Sequence, residues 1–352
     1  MLEHIAVFVL AFIFLVKGAD VFVEAIAKFA KKVGVSEFII GLTVTSFGTT
    51  LPELASSISA SFQNSSGLII GNIVGSNIAN IGLIIGISSI IHFIKTEKKM
   101  YERDGYILIV SVLAFAFFSY DGFITLGEGI VLLLIYIIYI LFLMNTKGKH
   151  ATRYKFHDFL AYMLDFKYIA TIRSWLVKDA LKTPATKRTA TEKKVVGLFE
   201  ESLLMDIVIA ISSIVAIIFG AKYLVNESLL LANLFHVPEA LIGLSIIAIG
   251  TSLPELTVAI VAARKGHGHL AIGNIFGANI ANLLMTIGIS SLIRPVQVST
   301  NALMYTIPIM GFFSLALVYF IKHNKKIGKR EGIIALVSYF AFMTFAFVKG
   351  LG

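Results

Sequence analysis

The sequence predicts an all-α polytopic membrane protein, with ten transmembrane helices in two inverted five-helix repeats. Three observations predict it. The 352 residues are 57% hydrophobic and only 14% charged, and the apolar residues fall in runs of about 20, the length that spans a bilayer. The two halves repeat: a shift of 202 residues aligns Gly18 to Ser89 with the second half without a gap. Each half holds an odd number of spans, so the second must enter the membrane from the opposite side, an arrangement that places a site between the repeats near the midplane.

The spans follow in order. The first covers residues 4–29 and is read as a retained helix, because no small-residue cleavage site follows a short apolar core. The second covers 38–62, the third 68–93, the fourth 106–119 and the fifth 124–144. A polar stretch, 145–201, separates the halves. The sixth span covers 203–231, the seventh 240–263, the eighth 270–292, the ninth 303–321 and the tenth 332–347. The chain thus divides into a first repeat, 1–144, a linker, 145–201, and a second repeat, 202–352. Within the linker, Tyr154 to Leu181 mixes Phe156, Phe159, Phe166, Trp175 and Lys178, a composition suited to an amphipathic helix at the inner interface. The segment from Thr183 to Thr191 reads as a flexible tether.

Basic residues set the orientation. With the N-terminus outside, the inner loops hold Lys28, Lys31, Lys32, Lys95, Lys98, Lys99, Arg103, Arg264, Lys265, Lys322, Lys325, Lys326, Lys329, Arg330 and the linker; the outer side holds Arg294 and Lys349. The expectation is a multi-pass protein of the cell membrane with both termini outside and the linker cytoplasmic. The same distribution accounts for the net charge of +9 without nucleic acid as a partner. There are no cysteines, which excludes disulfides and thiolate chemistry.

Two spans carry an interruption. Gly48-Thr49-Thr50-Leu51-Pro52-Glu53 recurs as Gly250-Thr251-Ser252-Leu253-Pro254-Glu255. Proline lacks an N–H and clashes with the preceding turn, so carbonyls from about Ser46 to Thr49 and from Ala248 to Thr251 need other partners. A carboxylate at this depth costs about 2.5–3.5 kcal/mol on insertion scales. Irregular backbone inside a membrane is tolerated where it lines a polar cavity, and a cation would satisfy both carbonyls and carboxylates. Glu53 and Glu255 lie about one turn after the hydroxyls of Thr49, Thr50, Thr251 and Ser252. The third and eighth spans add Asn72, Ser76, Asn77 and Asn80, then Asn274, Asn279 and Asn282. An all-oxygen set suits Ca2+, Na+ or Mg2+ rather than zinc or copper. Against this stand plainer readings. Hydroxyls in helices bond back to the backbone, and Gly71, Gly75, Gly273 and Gly277 fit close helix packing.

These residues resemble the sodium/calcium exchanger family of the Ca2+:cation antiporter superfamily, in its prokaryotic form. The resemblance covers the whole chain in topology and is strongest at 41–89 and 243–291, which look like that family's duplicated core regions. It implies eight helices around ions at the membrane centre, with the first and sixth spans sliding across them. It further implies that Glu53 and Glu255 chelate Ca2+ with backbone oxygens of Thr49 and Thr251. Na+ would use the carbonyls of Ser46 and Ala248 with the hydroxyls of Thr49, Thr50, Thr251, Ser252 and Ser76, and Asn80 and Asn282 would complete the cluster. Ala278 stands where the family often has Ser, removing one hydroxyl from a Na+ position. Asn282 stands where potassium-dependent relatives carry Asp, which implies potassium independence.

The expected function is therefore secondary antiport of Ca2+ against Na+ by alternating access, with no enzyme activity and no cofactor. Membrane lipid and the two transported ions are the expected partners, and one chain suffices for the site, with no obligate protein partner evident. The alternative is an antiporter of Ca2+ or another divalent cation against H+ on the same scaffold. A channel lacks a visible filter repeat, and an intramembrane metalloenzyme lacks His-Glu-x-x-His.

Overall fold

The computed structural model describes residues 2–32, 48–96, 101–145, 155–171, 190–323 and 326–351. Its main helices are α1 (Leu2–Lys32), α2 (Leu51–Phe62), α3 (Ser66–Ile91), α4 (Tyr106–Phe118), α5 (Leu126–Asn145), α6 (Phe156–Leu164) and α7 (Ala190–Phe235). There follow α8 (Glu239–Thr251), α9 (Leu253–Arg264), α10 (Gly268–Ala281, continued through Asn282–Thr286 and Ile287–Ile293), α11 (Ala302–His323) and α12 (Lys329–Lys349).

Among the described residues, seven helices are long and apolar enough to cross a membrane, and an eighth crossing is counted if α8 and α9, bent by 43° at their junction, form one span. The two other predicted spans differ in kind. The second begins outside the described residues and is seen from Gly48 onward. The fourth, α4, is only 13 residues long and continues an N-terminal π turn, Tyr101–Gly105, that carries Glu102, Arg103 and Asp104.

Burial sorts the helices. In α3, 94% of the most apolar window is buried inside the protein, and in α10, 83%; in α1 and α7 the shares are 22% and 33%. The first two are therefore the core of the bundle. The latter two lie along each other at its edge, turning Leu10, Ile13, Phe14, Ile218 and Phe219 outward. Such a continuous apolar face belongs against lipid rather than water.

Close approach of α3 to α8 depends on glycine. A methyl added at Gly75 would lie 2.6 Å from Leu244 O, one at Gly243 would lie 2.8 Å from Leu68 O, and Gly71 abuts Ala240 O. Two short ribbons tie the loops of one half to those of the other: β1 (Ile94–Lys95) pairs with β4 (Lys326–Ile327), and β2 (Phe123–Ile124) pairs with β3 (Val296–Gln297), both antiparallel.

The linker carries helix at both ends. Helix α6 forms, and its Phe159 and Tyr162 are buried against Tyr139 and Phe142 of α5. Aromatic rings that find a protein pocket bury more area there than at a headgroup boundary. At the other end α7 begins at Ala190, inside the stretch read as tether and linker. Ala190-Thr191-Glu192-Lys193-Lys194 is too polar to register as a span, yet helix propagates readily from a packed segment into such residues. Trp175, Lys178 and 183–189 lie outside the described residues.

Candidate metal centre

The two motifs form matching helix starts. Helix α2 opens Leu51-Pro52-Glu53 and α9 opens Leu253-Pro254-Glu255, each with its proline in the first turn. There the missing N–H is one that a helix start leaves unpaired in any case. The break therefore falls at Thr50 and Ser252, whose carbonyls already accept from Leu54 N at 3.0 Å and Leu256 N at 3.1 Å. Thr50 to Glu53 and Ser252 to Glu255 match the pattern of a self-contained helix cap. Neither Thr50 nor Ser252 caps its own helix with its side chain. Instead Ser252 Oγ donates to Glu53 Oε1, in the other half of the molecule, at 3.3 Å.

Glu53 and Glu255 are 0% and 1% exposed, so both turn away from lipid and into the protein. The Ser252–Glu53 bond brings the start of the helix that carries Glu255 against Glu53. Among the described residues no lysine, arginine or histidine pairs with either carboxylate. Glu53 Oε2 and both Glu255 carboxyl oxygens are buried with no hydrogen-bond donor, as are Asn80 Oδ1 and Asn282 Oδ1. Buried carboxylates without a countercharge are strongly unfavourable. Five buried oxygens without donors, with no sulfur or nitrogen ligand among them, fit a hard cation.

The remaining predicted residues are placed as follows. Thr49, Thr50, Thr251, Ser252, Ser76, Asn80 and Asn282 are all buried, while Ser46 lies outside the described residues. Ala248 is fully buried, and its carbonyl accepts from Ser252 N at 3.2 Å and from Ser76 Oγ at 3.5 Å. Thr251 Oγ1 donates back to Ile247 O at 3.0 Å, the plain helical use of a hydroxyl. Thr49 Oγ1 donates to Asn274 Oδ1 at 3.5 Å.

Two supporting features were not foreseen: the partners of Asn72, itself already a candidate ligand, and a distortion of two helices. Asn72 spans the halves: Oδ1 lies 3.3 Å from Thr251 Oγ1 as an alternative acceptor to Ile247 O, and Nδ2 donates to Ser56 Oγ at 3.0 Å and Ser57 Oγ at 3.3 Å. The signal was present, since Ser56 and Ser57 follow Glu53 by three and four residues. The second is a π-helical turn beginning at Asn80 and at Asn282, Asn80–Ile85 in α3 and Asn282–Thr286 in α10. Such turns are rare and gather at functional sites. The first packs against α9, which carries Glu255, and the second against α2, which carries Glu53.

A helical membrane bundle that buries two acidic groups with, among the described residues, no basic partner has the build of a cation transporter. A profile of the family described as sodium/calcium exchanger protein matches residues 3–145 and 205–348. Sodium/calcium exchanger MaX1 of Methanosarcina acetivorans is 40% identical over 341 residues, 97% of each chain. An uncharacterized membrane protein of Methanocaldococcus jannaschii, MJ0091, is 31% identical over 332 residues, 94% of each chain. Among solved structures, the sodium-calcium exchanger NCX_Mj soaked with 2.5 mM Na+ and 0.1 mM Ca2+ matches with a TM-score of 0.59 at 28% identity, covering 98% of each chain. The chain belongs to the sodium/calcium exchanger family. It is a Ca2+/cation antiporter and not an enzyme.

Proposed function

We propose that this protein exchanges Ca2+ for Na+ across the cell membrane by alternating access, without K+, on ten spans in two inverted five-helix repeats. Glu53 and Glu255 bind the cargo ion, and their two charges balance one Ca2+. Asn80 and Asn282 complete the central oxygens. Thr49, Thr50, Thr251, Ser252 and Ser76, with the carbonyls of Ser46 and Ala248, serve Na+. The observation that carries this reading is the buried pair Glu53 and Glu255 with three carboxyl oxygens lacking any donor.

Coupling follows from sharing. Ca2+ and Na+ compete for one set of oxygens, so both loads cannot be held together. An empty site would carry two bare carboxylates through the rearrangement, at a cost that forbids it. Ion-loaded states alone then cross. Asn282 is neutral where a third carboxylate would raise the charge to be balanced, which supports independence from K+.

The assignment of these loops to shared sides has support beyond the charge distribution. Ribbon β1–β4 joins two loops assigned to the inside, and β2–β3 joins two assigned to the outside. Two further contacts agree: Gln297 N donates to Ser66 Oγ at 3.1 Å on the outer side, and Lys155 pairs with Glu102 at 3.8 Å on the inner side.

The test uses inside-out vesicles. Glu53→Gln and Glu255→Gln are each expected to abolish Na+-driven 45Ca2+ uptake; retained exchange in both would sink the assignment. Imposing Na+, K+ and H+ gradients separately on reconstituted protein distinguishes the counter-ion, and uptake driven by H+ alone would favour the proton-coupled alternative.

A further inference from the structure

Where α3 crosses α10, four asparagines form a closed, reciprocal arrangement. Asn279 Nδ2 donates to the main-chain carbonyl of Asn77 at 3.4 Å, and Asn77 Nδ2 donates to the main-chain carbonyl of Asn279 at 3.4 Å. Asn80 Nδ2 donates to Asn279 Oδ1 at 2.8 Å, and Asn282 Nδ2 donates to Asn77 Oδ1 at 3.1 Å. All four side chains are at most 1% exposed. Only Asn80 Oδ1 and Asn282 Oδ1 are left without a donor.

A carboxamide has nearly the same shape at both ends, so packing alone does not decide which end points where. Hydrogen bonding does. A main-chain carbonyl only accepts. Asn279 must therefore turn its NH2 toward Asn77 O, which leaves its Oδ1 facing Asn80. That oxygen also only accepts, so Asn80 must offer Nδ2 and turn Oδ1 away. The same logic runs from Asn279 O through Asn77 to Asn282. Flipping Asn80 would set oxygen against oxygen at Asn279 and aim an NH2 at the cation.

We propose that Asn77 and Asn279 are positioning residues. Each fixes, across the repeat boundary, the polarity of the other repeat's ligand carboxamide, so that oxygen rather than nitrogen is presented to the ion. This rests on the reading that Asn80 and Asn282 face the cargo, and it adds the residues that make them competent to do so.

The test exploits the symmetry of a carboxylate. Asn80→Asp has two equivalent oxygens and no NH2 end, so its orientation no longer matters. Ca2+ binding to purified, reconstituted full-length protein is read from the Ca2+-dependent rise in Tm, with half-saturating Ca2+ and maximal rate of exchange measured alongside. Asn279→Ala is expected to raise half-saturating Ca2+ about tenfold, a loss of one oriented ligand to a charged group, with the maximal rate less affected. In the Asn80→Asp background the same change is expected to cost under about threefold. The mirror comparison, Asn77→Ala with and without Asn282→Asp, should behave alike and covers the case in which one single variant fails to fold. Equal losses in both backgrounds would mean that the cross-link merely holds the helices together, and overturn the proposal. So would unchanged binding in Asn279→Ala and Asn77→Ala. Failure of the underlying site reading looks different: Asn80→Ala and Asn282→Ala would then leave the Ca2+-dependent Tm rise intact.

Discussion

Ser76 and Ala278 occupy equivalent places in the two repeats, but only one carries a hydroxyl. Ser76 Oγ sits 3.5 Å from Ala248 O, while Ala278 is fully buried with a methyl. The site is therefore asymmetric in hydroxyls although symmetric in carboxylates. Ser76→Ala is expected to raise the Na+ needed for half-maximal exchange roughly fivefold, about 1 kcal/mol for one hydrogen-bonding group. Ala278→Ser should steepen the dependence of exchange rate on Na+ concentration by restoring a ligand. Na+ titrations of 45Ca2+ exchange check both, and an unchanged Na+ curve in both variants would remove position 76 from the Na+ set. At this scale much was legible, because a glutamate beside a proline inside an apolar run has few explanations and its recurrence has fewer. Which hydroxyls remain available was not legible. Thr251 Oγ1 is drawn to Ile247 O, with Asn72 Oδ1 as the alternative acceptor, and Ser252 Oγ leaves its own cap for Glu53 across the repeat. The local pattern is compatible with a closed cap, so only the neighbouring helix decides.

At the scale of elements, the binding geometry depends on how closely α3 and α8 approach. At Gly75 an added methyl would meet Leu244 O at 2.6 Å and both Leu244 Cα and Ala248 Cβ at 2.7 Å. Two of those neighbours are backbone and cannot swing aside. Gly75→Ala is expected to cost about 1–3 kcal/mol, as overpacking does, and to lower Tm by several degrees in detergent. It should also shift Ala248, hence Ser76's partner, and weaken Na+ dependence along with stability. A variant with unchanged Tm would show that the crossing yields more than a packed interface does. Most helices were readable from apolar length within about two residues at each end. Helix α7 was not, since its first turns are polar and helical only by extension from the packed portion. The π turns at Asn80 and Asn282 left no trace in residue order either. A one-residue widening of a helix changes which side chains face inward, and composition does not record it.

At the scale of the whole molecule, the absence of cysteine permits a direct reading of topology. Single variants Lys265→Cys and Arg294→Cys place thiols in loops assigned to opposite sides, and both positions are exposed. A membrane-impermeant maleimide added to intact cells is expected to label Arg294→Cys and spare Lys265→Cys until the membrane is opened. The reverse pattern would invert the molecule and place the N-terminus inside. Duplication, span lengths and the pairing of two acidic motifs were determined by the sequence alone, because each is a matter of spacing along the chain. The tertiary structure alone decided that Glu53 answers to Ser252, that Asn77 and Asn279 exchange bonds, and that five oxygens of Glu53, Glu255, Asn80 and Asn282 are buried without donors. Those facts depend on two segments about two hundred residues apart meeting at one crossing, and the direction of a hydrogen bond between them is set by which acceptor each donor reaches, something that order along a chain does not contain.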